Sequence, residues 1–211
     1  MLINIHTHHR RNSSHEIINS TTILNDSYFS FGMMHNLNDL LDFDSTKVES
    51  IYQHKNCIAI GEIGLDKNGS IDLNKQIQLF KNQIVDSEKH MLPVLLHCVK
   101  SWNEIFQIRK EITPKQPWIF HGFRKTTLTK SVLDSGVFIS IGTALLWDSK
   151  LQETAKNIPL KQLFLETDDD TVHTIDKIYE KMAQIKNISL QELEEQLYIN
   201  TKNTFKKWEI G

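Results

Sequence analysis

Short apolar runs separated by polar segments recur along the chain, and runs of this length are typical of buried β-strands. They cover residues 2–5, 28–34, 57–60, 92–96, 118–120, 137–141 and 163–165, and a further strand is expected over residues 16–21. Between the later runs, apolar residues recur at a spacing of three or four, which predicts amphipathic helices. The helical faces contain Leu73, Ile77, Phe80 and Ile84, then Trp102, Ile105 and Phe106, then Val172, Ile175, Tyr179 and Met182.

A closing helix is predicted to begin at Ser189, because Ser189 and Glu192 have the spacing of a capping box. It would turn Leu193, Leu197, Phe205 and Trp208 towards the body of the protein. Strands and helices alternate without a repeat period or a linker, which predicts one parallel α/β domain over residues 1–211. Both an open sheet and a barrel fit this alternation.

Side chains that can bind metal ions distinguish the two architectures, because they follow the strands. His6 and His8 follow the first run, Glu62 follows the third, and His97, His121 and Asp168 follow later ones. In a (β/α)₈ barrel the carboxyl ends of the strands converge on one mouth, whereas an open sheet would spread these side chains along an edge. We therefore predict a TIM (β/α) barrel, trimmed and distorted because ~250 residues is usual for that fold.

The shortening is expected near the amino terminus. Too few residues separate His8 from the strand at 16–21 for a crossover helix, and the step from there to Tyr28 is shorter still. A parallel crossover needs about a dozen residues. We therefore expect a hairpin or an irregular strand in this region.

The composition, with 39% hydrophobic and 24% charged residues, 8 Gly and 4 Pro, is that of a folded globular protein. No stretch approaches the ~20 apolar residues of a membrane span and no signal core follows Met1, so we expect a soluble, cytoplasmic protein without a membrane partner. The net charge of −2 excludes a globally basic nucleic-acid scaffold but allows a local basic patch. Cys57 and Cys98 lie in apolar runs without CxxC spacing and are expected to be buried thiols.

The candidate ligands carry the chemistry. His6 and His8 share one face of a strand end, so both imidazoles can reach one ion. Glu62 follows a buried strand, where a carboxylate is costly unless it is paired or bound to metal, and its flanking glycines permit close backbone approach. Taken singly, each residue also fits an ordinary structural role. Taken together, four histidines and two carboxylates at equivalent strand ends predict two divalent ions, Mg²⁺, Mn²⁺ or Zn²⁺.

Two aspartates have different expected roles. Asp168 is our candidate general base, because one of its oxygens could hold the attacking water while the other binds metal. Asp66 is expected to orient a ligand or to cap the following loop.

Basic residues are enriched in the loops that follow the strands. The four positions after each of His8, Asp66, His97, His121 and Asp168 contain six basic residues in 20, whereas 24 in 211 predicts about two. The basic residues are Arg10, Arg11, Lys67, Lys100, Arg124 and Lys125. An anionic substrate such as a phosphodiester is therefore favoured over a neutral amide or lactone.

Five segments carry a resemblance to a known family. They are I-H-T-H at 5–8, I-G-E-I-G-L-D at 60–66, L-P-V-L-L-H at 92–97, F-H-G-F at 120–123 and L-E-T-D at 165–168. Their order and spacing resemble the TatD family of metal-dependent hydrolases over nearly the whole chain, and the tail from Ile188 to Phe205 resembles the closing helix of that family.

The resemblance implies a metal-dependent barrel of the amidohydrolase-like group with deoxyribonuclease activity. It implies that His6, His8, Glu62 and Asp168 hold one ion, and that Glu62, His97 and His121 hold the other. Glu62 would then bridge the ions, which makes it a second candidate catalytic residue beside Asp168.

Several positions depart from the family pattern, and they bear on the substrate. Lys100 stands where an Arg is common, Gly122-Phe123-Arg124 replaces Cys-Phe-Ser, and Asp169-Asp170 replaces Ala-Pro. The G-I-H-P segment of the family is matched loosely by residues 32–36, which include His35. We take Lys100, Arg124 and His35 as candidate substrate contacts.

Three functions remain open at this point. The leading one is a metal-dependent hydrolase that cleaves phosphoester bonds in DNA or nucleotides by means of a metal-activated water. The second is an amidohydrolase-type enzyme that acts on a cyclic amide or lactone with the same metals. The third is a non-catalytic, metal-stabilised barrel that binds a protein partner through a flank exposed by its missing helices.

Overall fold

The computed structural model describes residues 1–11, 15–34 and 45–209. The strands are β1 (Ile3–Thr7), β2 (His15–Asn19), β3 (Tyr28–Phe31), β4 (Cys57–Asp66), β5 (Val94–Val99), β6 (Trp118–Phe120), β7 (Phe138–Ile141) and β8 (Leu163–Leu165). The helices are α1 (Ser45–Gln53), α2 (Leu73–His90), α3 (Trp102–Ile112), α4 (Thr129–Asp134), α5 (Ser149–Asn157), α6 (Ile175–Lys186) and α7 (Leu190–Thr204). Short 3₁₀ turns cover Thr126–Leu128, Thr143–Leu146 and Leu160–Gln162. Strands and helices alternate from β4 onwards, as predicted.

The chain divides into two compact units. The first contains residues 1–18 and 119–204, and in it β1 neighbours β2 while β6, β7 and β8 are neighbours in that order. All its pairings are parallel, with Ile139 opposite Leu163 between β7 and β8, and a single bridge joins Thr7 to Asp168. The single domain expected from the sequence stays a prediction.

The second unit contains residues 19–118 and 205–211 and is built on the parallel order β3-β4-β5. Strand β4 is ten residues long and nine of them are buried, while its register with β5 shifts between Ile60 and Ile63. The backbone ladder continues beside these strands, because Ser20 donates to Ser30 O and Val94 donates to Pro117 O. Helix α2 packs on β4, and the ring of its buried Phe80 lies 5.6 Å from that of Trp118, measured between centroids.

Each predicted strand is present, but β1, β4 and β5 reach further than their apolar runs. His6 lies within β1, Glu62 lies within β4 and His97 lies within β5. The sequence placed these ligands after the strands, because a polar residue ends an apolar run. The backbone ladder takes no account of side-chain polarity, and β4 stays paired with β5 as far as Asp66 opposite Val99.

The hairpin expected near the amino terminus is wrong, whereas the irregular strand is confirmed. Strands β1 and β2 are parallel, and their register shifts between Asn4 and Thr7. Residues 8–14 join the two strands, which is fewer than the dozen or so of a usual parallel crossover.

Two helix boundaries differ from the expectation. Val172 was grouped with the face of α6, but it lies before the helix and is 80% exposed. Phe205 and Trp208 are buried as expected, although α7 ends at Thr204. The start of α7 is confirmed, because Ser189 Oγ accepts a hydrogen bond from the backbone N–H of Glu192. Within the described part of the chain, no helix has both the length and the apolar character needed to cross a membrane.

Candidate metal centre

The first unit gathers five side chains that could hold a metal ion, which we call the histidine–aspartate cluster: His6, His8, His121, Glu166 and Asp168. Two backbone hydrogen bonds fix its centre, because Asp168 N–H donates to His6 O and His8 N–H donates to Asp168 O, each at 3.1 Å. Asp168 has a positive φ of 55°, so the chain turns sharply where this carboxylate is presented. Backbone hydrogen bonds therefore hold the central residues of this cluster in place.

The distances within this cluster fit a bound ion. Asp168 Oδ1 lies 3.3 Å from His6 Nε2 and 3.5 Å from His8 Nε2. Two ligand atoms bound to one ion at ~2.1 Å are about 3.0–3.4 Å apart in tetrahedral or octahedral geometry. His121, Glu166 and Asp168 also each offer a ligand atom within 4.8 Å of the others, and the ring centroids of His6 and His121 are 4.5 Å apart. Imidazole nitrogens with carboxylate oxygens suit Mn²⁺ or Zn²⁺.

The electrostatics of the cluster keep Asp168 ionised. Burial by itself would raise the pKa of Asp168, but hydrogen bonds from His6 and His8 and the nearby charge of His121 outweigh it and hold that pKa well below the usual carboxyl range. The carboxylate is about one third exposed, while the imidazole of His6 is fully buried. Asp168 is thus charged at neutral pH and accessible to a water molecule.

Glu166 is a supporting residue whose role the sequence left open. It is fully buried, Ser140 Oγ donates to its Oε2 and Gly122 N–H donates to its Oε1, each at 2.5 Å. Its Oε1 also lies 3.6 Å from His121 Nδ1. The L-E-T-D segment places Glu166 two residues before Asp168 but gives no indication that Glu166 accepts a hydrogen bond from Gly122 N–H, directly after His121.

The second unit contains the pair Glu62 and His97. Glu62 Oε2 lies 3.2 Å from His97 Nδ1, and the Glu62 side chain is only 7% exposed. Asn19 holds Glu62 on both sides, because its Nδ2 donates to Glu62 Oε1 and its Oδ1 accepts from Glu62 N–H, each at 3.3 Å. The sequence did not single out Asn19, since an asparagine at a strand end carries no pattern of its own.

The glycines beside Glu62 allow the close approach that was expected. A Cβ on Gly61 would lie 2.5 Å from Leu95 Cβ, and a Cβ on Gly64 would lie 2.0 Å from His97 O. Gly64 also has a φ of 148°, which disfavours any other residue. Because the glycines let β4 approach β5 this closely, the side chain of Glu62 lies beside that of His97.

Asp66 has the place expected of it. Its Oδ1 accepts a hydrogen bond from Asn68 N–H at 2.7 Å, which caps the loop after β4, and its Oδ2 lies 3.6 Å from His97 Nε2. It therefore supports a candidate ligand from the side opposite Glu62.

The candidate substrate contacts stand as follows. Lys100 is exposed directly after β5, and Arg124 is exposed after β6 with its Nη2 3.6 Å from Asp148 Oδ2. His35 lies outside the described residues, so its role stays a prediction. Of the other loop cations, Lys67 pairs with Glu104 at 2.6 Å and Arg11 donates to His173 O at 2.9 Å. Part of the basic enrichment is therefore used within the protein.

Comparison with known proteins identifies the family. The model of the family described as TatD related DNase matches residues 2–206. The chain belongs to this family. Among its relatives, an uncharacterized metal-dependent hydrolase of Haemophilus influenzae is 27% identical over 172 residues, which are 72% of this chain and 67% of the relative. A second uncharacterized metal-dependent hydrolase, from Mycoplasma pneumoniae, is 29% identical over 193 residues, covering 79% of this chain and 72% of the relative.

Solved structures confirm the predicted fold class. The crystal structure of a TatD homologue from Escherichia coli matches with a TM-score of 0.72 at 20% identity, covering 87% of this chain and 78% of the homologue. A hydrolase of the TatD family from Entamoeba histolytica matches with a TM-score of 0.70 at 22% identity, covering 88% and 77%. This TatD-family chain therefore has an α/β fold of the TIM-barrel type, and it is a metal-dependent hydrolase by family.

Proposed function

We propose that this TatD-family protein is a deoxyribonuclease that hydrolyses phosphoester bonds in DNA or nucleotides with two divalent metal ions. In this proposal His6, His8, Glu62 and Asp168 hold one ion, and Glu62, His97 and His121 hold the other. The observation that carries it is the distance of 3.3–3.5 Å from Asp168 Oδ1 to the Nε2 atoms of His6 and His8. Family membership supports the same ligand set.

The side chains have separate roles in the proposed reaction. Bound divalent ions lower the pKa of a coordinated water and stabilise charge on the phosphoryl oxygens. Asp168 accepts the proton of the attacking water, because its carboxylate is ionised and its side chain is partly exposed. His97 and Glu62 are kept in place by Asp66 and Asn19, so the ligand atoms need little rearrangement on binding.

The charge of the loops supports a phosphoester substrate. Lys100 and Arg124 both project at the carboxyl ends of strands, the end at which substrates bind in this fold class. Cations at that position neutralise phosphate oxygens, whereas a cyclic amide or lactone would gain little from them.

The test is cleavage of single-stranded DNA by the purified protein with Mg²⁺, Mn²⁺ or Zn²⁺ and with EDTA. We expect metal-dependent cleavage that Asp168→Asn lowers by at least about 100-fold, because general-base catalysis contributes typically 10²–10⁴-fold. Asp169→Asn is the matched control, since Asp169 is the exposed neighbour with the same side chain.

Two outcomes would contradict the proposal. Metal-bound protein that cleaves no DNA or nucleotide phosphoester but hydrolyses a lactone or cyclic amide in a substrate panel would favour the amidohydrolase alternative. Equal loss of activity in Asp168→Asn and Asp169→Asn would show that Asp168 has no special role in the reaction.

A further inference from the structure

Three connections of the first unit leave the sheet at the carboxyl ends of β6, β7 and β8, the end at which Asp168 lies. Each carries a side chain that solvent can reach, and of the three only Arg124 already has a place in the proposed function, as a phosphate contact. Arg124 lies in the connection from β6 to α4, Trp147 in that from β7 to α5, and His173 in that from β8 to α6. These three side chains can bind one ligand only if each is held in place. The contacts of each side chain show whether it is.

Trp147 is an exposed aromatic residue on a rigid backbone. This residue is 56% exposed, whereas Trp118 and Trp208 are buried. The backbone N–H of Trp147 donates to Ala144 O, and this bond connects Trp147 to the preceding 3₁₀ turn. Asp148, directly after it, caps α5 by accepting hydrogen bonds from two backbone N–H groups. A single exposed indole is not unusual, so a binding role for Trp147 has to be argued from the residues beside it.

His173 provides the second ring and is itself held in place. The ring centroids of Trp147 and His173 are 5.5 Å apart, with 44° between the ring planes. His173 Nδ1 lies 2.9 Å from Asp170 Oδ2, and its backbone carbonyl accepts a hydrogen bond from Arg11 Nη1. Asp170 Oδ1 in turn accepts from the N–H groups of Val172 and His173. The imidazole is fixed although its side chain is 38% exposed.

Arg124 adds a positive charge next to this pair of rings. Its side chain is 61% exposed, and its Nη2 lies 3.6 Å from an oxygen of Asp148, the residue that follows Trp147. Exposed aromatic rings with a neighbouring cation are the arrangement by which proteins bind unpaired bases and the adjoining phosphates of a single strand. Both rings offer a face, and a face stacks on any base without regard to sequence.

We propose that Trp147 and His173 form a stacking subsite for one unpaired nucleobase, with Arg124 contacting the neighbouring phosphate. This inference rests on the proposed function, because it names the part of a DNA substrate that the loops bind. It commits the substrate to a single-stranded segment at this place, since a base within a duplex has no free face to offer.

The experiment measures binding of fluorescein-labelled decathymidylate by fluorescence anisotropy in EDTA, so that metal-dependent cleavage does not interfere. We expect Trp147→Ala to raise the Kd about tenfold, since stacking of one base contributes ~1–3 kcal/mol. Trp147→Phe keeps an aromatic face and should stay within about threefold of the wild type. Ile199→Ala, which removes a 49% exposed apolar side chain from α7, is the control and should leave the Kd unchanged.

A scan with abasic nucleotides separates stacking from a general loss of structure. In the wild type, one abasic position in the strand should weaken binding about tenfold, and in Trp147→Ala the same position should cost nothing further. Additive losses would overturn the inference, as would wild-type binding that is unaffected by Trp147→Ala.

Cleavage measured on the same proteins distinguishes the two proposals. Metal-dependent cleavage with no effect of Trp147→Ala on binding overturns the subsite alone. Binding that depends on Trp147 without any cleavage supports the subsite and overturns the proposed hydrolysis. Wild-type protein that neither binds nor cleaves the strand overturns both.

Discussion

At the scale of single residues, Glu166 gives a prediction for the stability of the protein. Both of its oxygens accept hydrogen bonds, from Ser140 Oγ and from Gly122 N–H, and it is fully buried. Glu166→Ala leaves two donors unpaired at a cost of ~1–3 kcal/mol each, so we expect the free energy of unfolding to fall by about 3 kcal/mol in urea denaturation.

Glu166→Gln is the matched variant for this prediction. Its amide oxygen can still accept from Gly122 N–H, and the Ser140 hydroxyl can rotate to accept from the amide nitrogen. We expect it to lose less than half as much stability as Glu166→Ala. Equal losses in the two variants would mean that volume, and not hydrogen bonding, sets the contribution of Glu166.

Asp170 gives a prediction for acid pH. Burial by itself would raise its pKa, but hydrogen bonds from the backbone and side chain of His173 and from Val172 N–H lower it from 3.8 to about 2. A lowered pKa means that this stabilisation is complete above pH 3.8 and is lost as the pH falls through about 2. The melting temperature of Asp170→Asn in EDTA should therefore lie below that of the wild type at about pH 5, and the two should converge towards pH 2. A gap that stays constant over this range would contradict the prediction.

At the scale of elements, the strands were predictable because burial on both faces produces continuous apolar runs. The ends of the strands were less predictable, because Glu62 and His97 interrupt the apolar pattern while the hydrogen-bonded ladder between β4 and β5 continues. The parallel pairing of β1 with β2 was missed for another reason. The usual parallel crossover needs about a dozen residues, so the seven between β1 and β2 argued against parallel pairing of these five-residue strands.

Tyr179 joins α6 to β1 and gives a prediction for the pairing of these elements. Its buried hydroxyl accepts from Ile3 N–H at 3.1 Å and donates to Ile3 O at 3.0 Å. Tyr179→Phe leaves both backbone groups without this partner, so we expect a loss of ~1–3 kcal/mol in the free energy of unfolding. Tyr52→Phe on α1, which removes a buried hydroxyl without a hydrogen-bond partner among the described residues, is the control and should lower the free energy of unfolding by less than about 0.5 kcal/mol. Similar losses in both variants would assign the effect to removal of a phenolic hydroxyl in general rather than to the hydrogen bonds between Tyr179 and Ile3.

At the scale of the whole molecule, the candidate ligands could be singled out because each one interrupts or ends an apolar run, and their metal binding stays a prediction. Their supporting residues could not be singled out. Asn19, Glu166 and Ser140 act through one or two hydrogen bonds each, and such bonds leave no periodic pattern in the sequence. Trp147 was missed likewise, since exposure of an aromatic residue depends on the packing of the loop around it.

The distribution of the proposed ligands over the two units yields the last prediction. His6, His8, His121 and Asp168 belong to the first unit, whereas Glu62 and His97 belong to the second. Metal that binds only the folded chain stabilises it by RT ln(1 + [M]/Kd), which is ~2.7 kcal/mol at 100 times the Kd. For a chain of this length that corresponds to a rise in melting temperature of about 5–10 °C, measured with Mn²⁺ or Zn²⁺ and reversed by EDTA.

Variants in each unit then decide whether the ions are held jointly. If they are, Asp168→Asn and Glu62→Gln should each remove most of the metal-induced rise, because either one takes a charged ligand from an ion that residues of both units bind. Asp169→Asn should keep the full rise, since its side chain is exposed beside Asp168. A rise that survives Glu62→Gln but not Asp168→Asn would mean that the histidine–aspartate cluster binds metal by itself, and that Glu62 does not bridge two ions.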